Sequence, residues 1–256
     1  MKLLGIDTET GGAFERPQSE NFVTELGAVL WDTELKAAAK ILAELIDFEK
    51  PVAEEAAEYN GISQELVTRY GIKGNEIRPL FQKLQQMMYD ADFIVAQNGI
   101  NFDKPLLKQT FEELGIAFPD TEWLDSQHDV DYPRNCKSKS LTYLQGFHGF
   151  CYPGHRAIFD IMAMLRIFTQ YDFDQILLWA RSPIVTVRAV TKNINWKNAA
   201  EVAEFEKVKD KIKKAGFKWN QEGYEKLWTK QLKEVIFEKE KEKYDFPFKV
   251  VAPQES

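Results

Sequence analysis

Two carboxylates at the end of the first apolar run constrain this chain more than any other feature. Met1 to Ile6 is short and mostly apolar, and Asp7-Thr8-Glu9-Thr10-Gly11-Gly12 follows at once. Read as a strand, the run alternates its side chains, so Asp7 and Glu9 share one face while Thr8 points to the other. Carboxylates so placed repel each other unless a cation sits between them. Hard oxygen ligands of this kind suit Mg²⁺ or Mn²⁺. An Asp-x-Glu at a strand end also serves as a solvated loop entrance, so a metal shell needs further acids.

The sequence that follows predicts a sheet. Phe22 to Trp31 reads as a second strand and Lys40 to Phe48 as a third, with Asp32-Thr33 turning between them. That order suggests an antiparallel meander, its first connection being the polar loop Ala13 to Asn21. A short helix is expected over Ala53 to Asn60, closed by Gly61, and another after Ser63 as N-cap. Asn75 to Tyr89 carries Ile77, Leu80, Phe81, Leu84, Met87 and Met88 at helical spacing, a core-packing stripe. Asp92 to Gln97 makes a fourth strand. Lys104 to Leu114, with Pro105 in its first turn, makes a helix with Asp103 at its N-terminal edge. Trp123 to Ser126 is a short fifth strand, and helices follow over Lys139 to Phe147 and Arg156 to Gln170. The whole reads as an α/β sheet with an antiparallel edge and helices packed on it.

An apolar fraction of 44% with 13% aromatics is ample for a buried core and excludes a disordered chain. No apolar run approaches the roughly 18 residues of a membrane span, and none of secretory length follows the N-terminus. Cys136 and Cys151 make neither a disulfide framework nor a Cys-x-x-Cys site. They are expected as ordinary thiols in a reducing cytoplasm. Net charge is −7, which argues against coating nucleic acid by bulk electrostatics. Residues 207–233 nevertheless hold nine Lys against Asp210, Glu222 and Glu225.

The remaining acids of interest lie far along the chain. Asp103 opens a helix, and Asp160 lies within Ala157-Ile-Phe-Asp-Ile-Met-Ala-Met-Leu-Arg-Ile-Phe168. A lone carboxylate among so many apolar residues is costly unless it is paired, metal-bound or on a solvated helical stripe. His155 stands five positions before it.

Together these residues resemble the DEDDh branch of the DEDD superfamily of 3′-to-5′ exonucleases, which includes bacterial proofreading subunits, exonuclease X and exonuclease I. Gly5-Ile6-Asp7-Thr8-Glu9-Thr10-Gly11 matches the first motif and Ile94-Val-Ala-Gln-Asn-Gly-Ile-Asn-Phe-Asp103 the second. His155-Arg-Ala-Ile-Phe-Asp160 matches the third. Gln97 stands where many relatives have His, and the second motif is one residue longer. The resemblance covers residues 1 to about 170. It implies an RNase H-like fold, a mixed five-stranded sheet with flanking helices, over 1–180. It also implies two divalent ions, Mg²⁺ or Mn²⁺, held by Asp7, Glu9, Asp103 and Asp160, with His155 as general base. Thr8, Thr10, Gly11, Asn98 and Phe102 are the expected substrate contacts.

Residues 181–256 read as a small α+β accessory module. Ile184 to Val190 suggests a strand, and Ala199 to Ala215 a Lys-rich helix. Gly216-Phe-Lys-Trp-Asn220 and Lys226-x-Trp228 look like a module found after the nuclease domain in exonuclease X-like and phage-type relatives. Lys218, Trp219, Trp228 and Lys230 could stack bases and meet phosphates. Equally, the tryptophans could form a mini-core with the lysines as its solvated face. Glu238 to Lys243 reads as an exposed helix end and the tail to Ser256 as loose. The expected function is metal-dependent 3′-to-5′ hydrolysis of DNA, from single strands or frayed ends, to nucleoside 5′-monophosphates. The alternatives are the same chemistry on RNA, or a catalytically silent nucleic-acid-binding module. A replication or repair partner would have to be supplied from elsewhere.

Overall fold

In the computed structural model, which describes residues 1–12, 21–191, 194–222 and 225–251, the chain divides into two compact units, Met1–Ala180 and Arg181–Ser256. The first is built on the strand that carries the paired acids. Strand β1 (Lys2–Thr10) pairs antiparallel with β2 (Val23–Asp32), which pairs antiparallel with β3 (Ala37–Asp47). This is the expected meander. Between β3 and the next long helix come α1 (Glu54–Asn60), α2 (Gln64–Tyr70) and β4 (Ile72–Lys73). Gly61 closes α1 at φ 73°, a left-handed conformation that costs glycine nothing, and the Ser63 hydroxyl caps α2 by accepting from Leu66 N–H at 3.2 Å.

Helix α3 (Ile77–Asp90) leads to β5 (Phe93–Ala96), which lies parallel to β1, and α4 (Asp103–Glu113) leads to β6 (Trp123–Asp125), parallel to β5. Three helices, α5 (Leu141–Phe147), α6 (Ala157–Phe168) and α7 (Phe173–Ala180), complete the unit. The sheet order is β4-β3-β2-β1-β5-β6. Six strands, not the expected five, make it, because β4 adds a two-residue parallel rung to Ile46 and Asp47. A rung so short has no periodic signature.

Every residue from Val23 to Leu30 is buried, because helices cover both faces of β2. Leu4, Ile6, Leu26, Ala28 and Leu30 face the layer built from α3 and α4, while Leu3 and Val29 face the layer containing Ile161, Leu165 and Phe168 of α6. Strand alternation then decides where the polar residues go. Asp7 and Glu9 have the parity of Leu3 and Gly5 and so fall on the α6 side. Thr8 has the parity of Leu4 and Ile6 and falls on the α4 side.

Two glycines let α6 come close. A Cβ at Gly5 would lie 2.6 Å from Ile161 Cγ2, and one at Gly27, the register partner of Asp7, would lie 2.8 Å from Ala157 Cβ. Gly27→Ala should therefore push α6 outward, lowering stability by about 1–3 kcal/mol. The same shift should reduce activity more than Ala43→Gly, its neighbour on β3. Denaturant melts and a rate assay on both variants check this.

The second unit is a four-stranded antiparallel sheet with two helices. In chain order it runs β7 (Ile184–Ala189), α8 (Ala199–Lys214), β8 (Lys218–Glu222), β9 (Glu225–Lys233), α9 (Glu234–Glu240) and β10 (Phe248–Val251), and its sheet order is β10-β7-β9-β8. The tail is not loose as far as Val251, since β10 pairs with β7. Residues 13–20 of the expected polar loop and 252–256 of the tail lie outside the described residues. No described helix is long and apolar enough to cross a membrane.

Candidate active site

The ends of β1, β5 and α6 surround a cleft of about 580 Å³. Asp7 and Glu9 enter it from β1 and Asp160 from the first turn of α6, where helix and strand are drawn together by the glycines. One carboxylate oxygen of each can lie within 4.8 Å of the other two. Asp103, buried at the start of α4, lines the same cleft and accepts the Thr8 hydroxyl at 2.7 Å. Thr8 meets it because strand parity sends that side chain toward α4.

Four acids so close are electrostatically expensive. Burial, then the charges of Asp103 and Glu9, hold the Asp7 carboxyl well above the usual carboxylate range. Burial pushes Glu9 up to about 7, against a hydrogen bond from Asn60 that pulls it down. Asp103 and Asp160 are raised as well, chiefly by burial. The nearby guanidinium of Arg156 is spent elsewhere: it is bidentate on the buried Glu25, with Nη2 at 2.6 Å and Nε at 2.9 Å from Oε1. Glu25 also accepts Ala157 N–H at 2.9 Å. That pair pins the start of α6 to β2, leaving the other acids to a cation. The donor set is all hard oxygen, which fits Mg²⁺ or Mn²⁺.

His155 stands at the cleft with left-handed backbone, φ 62°, and its N–H donates to Asp160 Oδ2 at 2.9 Å. Its ring rests 4.3 Å from that of Tyr59, on α1. On the opposite wall, Asn98 also takes a left-handed φ of 58°, and its N–H donates to the buried Asp125 at 3.1 Å. Gln97 lines the cleft too, donating to Lys139 O at 2.7 Å and accepting from the Ser126 hydroxyl. The longer loop thus gains ties to β6 while Asp103 keeps its place in the cleft.

Of the other expected contacts, Thr10, Asn98 and Phe102 line the cleft. Gly11 does not; its N–H donates to Phe22 O at 3.1 Å, and a Cβ there would meet the Phe22 ring at 2.5 Å. It is a packing glycine. In the second unit Trp228 is buried beneath Trp219, ring centroids 5.1 Å apart, and belongs to the core. Lys230 is ion-paired with Glu240 at 2.6 Å and also donates to Ala215 O. Both are thus engaged within the unit, one in its core and one in an ion pair. Lys218 and Trp219 remain exposed. Tyr59, Asn60, Glu25 and Arg156 were not foreseen. Glu25 carried the same signal as Asp160, a lone charge in an apolar run.

A family model described as exonuclease, RNase_T, matches residues 4–168. Comparison with curated proteins gave no match. Among solved structures, the nuclease domain of 3′hExo, a DEDDh family member bound to rAMP, is 16% identical over 66% of this chain and 90% of its own, with a TM-score of 0.53. E. coli exonuclease I in complex with a dT13 oligonucleotide is 14% identical over 74% of this chain, with a TM-score of 0.57; this chain spans about half of it, 48%. A 3′-exonuclease whose structure concerns histone mRNA stem-loop recognition is 15% identical over 66% of this chain and 80% of its own, with a TM-score of 0.53. With its acids and His155 in one cleft of an RNase H-like fold, the chain belongs to the RNase_T exonuclease family.

Proposed function

We propose that this protein hydrolyses single-stranded DNA, or frayed 3′ ends, one nucleotide at a time to nucleoside 5′-monophosphates, using two divalent ions. The observation that carries this reading is the meeting of Asp7, Glu9 and Asp160 within 4.8 Å in a cleft that also holds Asp103 and His155. Asp7, Glu9 and Asp160 would hold one ion, and Asp103 with Asp7 a second. Bound there, the ions supply a lowered pKa for attacking water and stabilisation of the charge that develops on the scissile phosphate.

The chain's own groups do the rest. The His155 ring accepts a proton from the attacking water as the water oxygen bonds to phosphorus. The bond from phosphorus to the 3′ oxygen breaks, and that oxygen takes a proton from solvent to become the 3′ hydroxyl of the shortened strand. Tyr59 backs the imidazole, and the bond from His155 N–H to Asp160 ties the base to a metal ligand, so ion binding and base placement are coupled. Asn98 and Phe102 form the wall against which the terminal nucleotide rests.

DNA is favoured because the fold shared with exonuclease I, whose complex holds dT13, extends over more of the chain than that shared with the rAMP-bound domain. Two free thiols, Cys136 and Cys151, support placement in a reducing cytoplasm. The test is a 5′-labelled 20-mer incubated with Mn²⁺, as DNA and as RNA in parallel. A ladder shortening from the 3′ end, faster on DNA, is expected. Faster loss of RNA would reverse the substrate assignment, and release of internal fragments would defeat the exonucleolytic reading.

A further inference from the structure

His155 reaches the cleft on a strap that joins α5 to α6, and the two ends of that strap are held by different means. At its far end His155 N–H donates to Asp160 and Arg156 pairs with Glu25. Its near end leaves α5 through a paired turn around Gly149, φ 77°. Gly149 N–H donates to Gly146 O and Phe150 N–H to Gln145 O, both at 3.1 Å. The turn fixes the chain as far as Phe150, whose ring carries the Arg166 guanidinium at 4.5 Å.

One side chain carries the hold further. Only Leu144 and Gln145 of α5 are buried, so half of that set is an amide where an apolar residue would be cheaper. The Gln145 Oε1 accepts Tyr152 N–H at 2.5 Å, two residues beyond Phe150. After Tyr152 come Pro153, whose ring fixes φ, and Gly154, whose φ is free. Three residues span at most about 10 Å, so the place of Tyr152 limits where the imidazole can go. Pro153, Gly154 and His155 are themselves exposed, and packing does little to place them.

We propose that Gln145 is a positioning residue for His155: its amide holds Tyr152 so that Pro153 and Gly154 deliver the imidazole to the cleft, beside Asp160 and Tyr59. This rests on the reading of His155 as the base in the function proposed above.

The test uses the full chain. Gln145→Met keeps the side chain's length and removes the acceptor. With Mn²⁺ and the 5′-labelled DNA 20-mer, its kcat should fall about 10- to 100-fold, part of the roughly 10²- to 10⁴-fold that a general base supplies, with KM and Mn²⁺ uptake unchanged. Gln145→Glu, which keeps an acceptor oxygen at the same reach, should restore most of the rate. Added to His155→Ala, Gln145→Met should cost less than about 2-fold more, because a residue that acts through the imidazole then has nothing to position.

A second readout needs no turnover. The chain has three histidines, so the nuclear magnetic resonance signal of the His155 ring is assigned by its absence from His155→Ala, and the Tyr59 ring 4.3 Å away shifts it. In Gln145→Met at fixed pH that shift should shrink while the His128 signal stays unchanged. Arg166→Gln, at an exposed site, should shrink it by less, and it serves if the Gln145 variants fold poorly. The proposal is overturned if the His155 signal is unmoved in these variants, or if Gln145→Met slows His155→Ala as much as it slows the wild type. If the signal moves as expected while the wild type shortens no DNA, the placement stands and the hydrolytic reading fails alone.

Discussion

Asp160→Asn will leave the protein folded and lower its exonuclease rate by about 10³-fold or more, roughly 4 kcal/mol of lost transition-state stabilisation. The size follows from position. Asp160 is one of three oxygens that close on a single point, and it also receives the His155 backbone N–H. The amide keeps the side chain's volume and can still accept that bond through its oxygen, so α6 should pack as before on Gly5 and Gly27. What disappears is one negative charge on the ion and part of the field that holds the base. The loss should fall on kcat rather than KM, because the group acts on the phosphate only as its charge develops. Single-turnover rates with circular dichroism on the same sample decide it; a loss below tenfold would mean that Asp160 is not a ligand.

The second large effect concerns stability and has the opposite sign. Metal-free Glu9→Gln should be more stable than the wild type at pH 8, by up to about 3 kcal/mol, and nearly equal to it at pH 5. Glu9 titrates near 7 in the fold against 4.5 for an ordinary Glu, chiefly because it is buried among other acids. A carboxyl raised in this way binds a proton in the folded state that the unfolded chain has already released. Stability therefore falls as pH rises from about 4.5 to about 7 and stays low above that. The amide does not titrate, so the difference between variant and wild type opens over that same window. Two and a half pKa steps at 1.36 kcal/mol set the upper bound. At 2–4 °C per kcal/mol this is a melting-temperature gap of up to about 6–12 °C. Excess Mn²⁺ should close or reverse it, since an ion that binds only the native wild-type site stabilises by about 2.7 kcal/mol at a hundredfold its dissociation constant. Thermal melts at pH 5, 6.5 and 8, with EDTA or Mn²⁺, measure it. A gap independent of pH would remove Glu9 from the buried acidic cluster.

Which parts of this site are legible in the residues follows from how far each signal travels along the chain. The Asp7–Glu9 pair and the lone Asp160 are local signals: a charge within an apolar run has few inexpensive explanations. The helices of the first unit as far as α6 read correctly to within a few residues at their ends, whereas α7 (Phe173–Ala180) is not among the expected helices. Glu25 carried the same kind of signal, yet its partner Arg156 lies 131 positions away and only folding shows that the two neutralise each other. Gly27 gives no signal until Ala157 is seen against it. Strand β4 is too short to show a period. In the second unit the faces are decided by register, which the sequence does not show: the pairing of Trp219 with Trp228 sets the two tryptophans on one face with Lys230 and turns Lys218 to the other.

The account stands or falls on divalent ions collecting among these acids, and counting them is the direct measurement. Manganese titrated into the metal-free chain at pH 7.5, with free Mn²⁺ read by electron paramagnetic resonance, should show two ions taken up per wild-type chain and at least one fewer in Asp7→Asn. Uptake by the wild type no greater than by Asp7→Asn would contradict it.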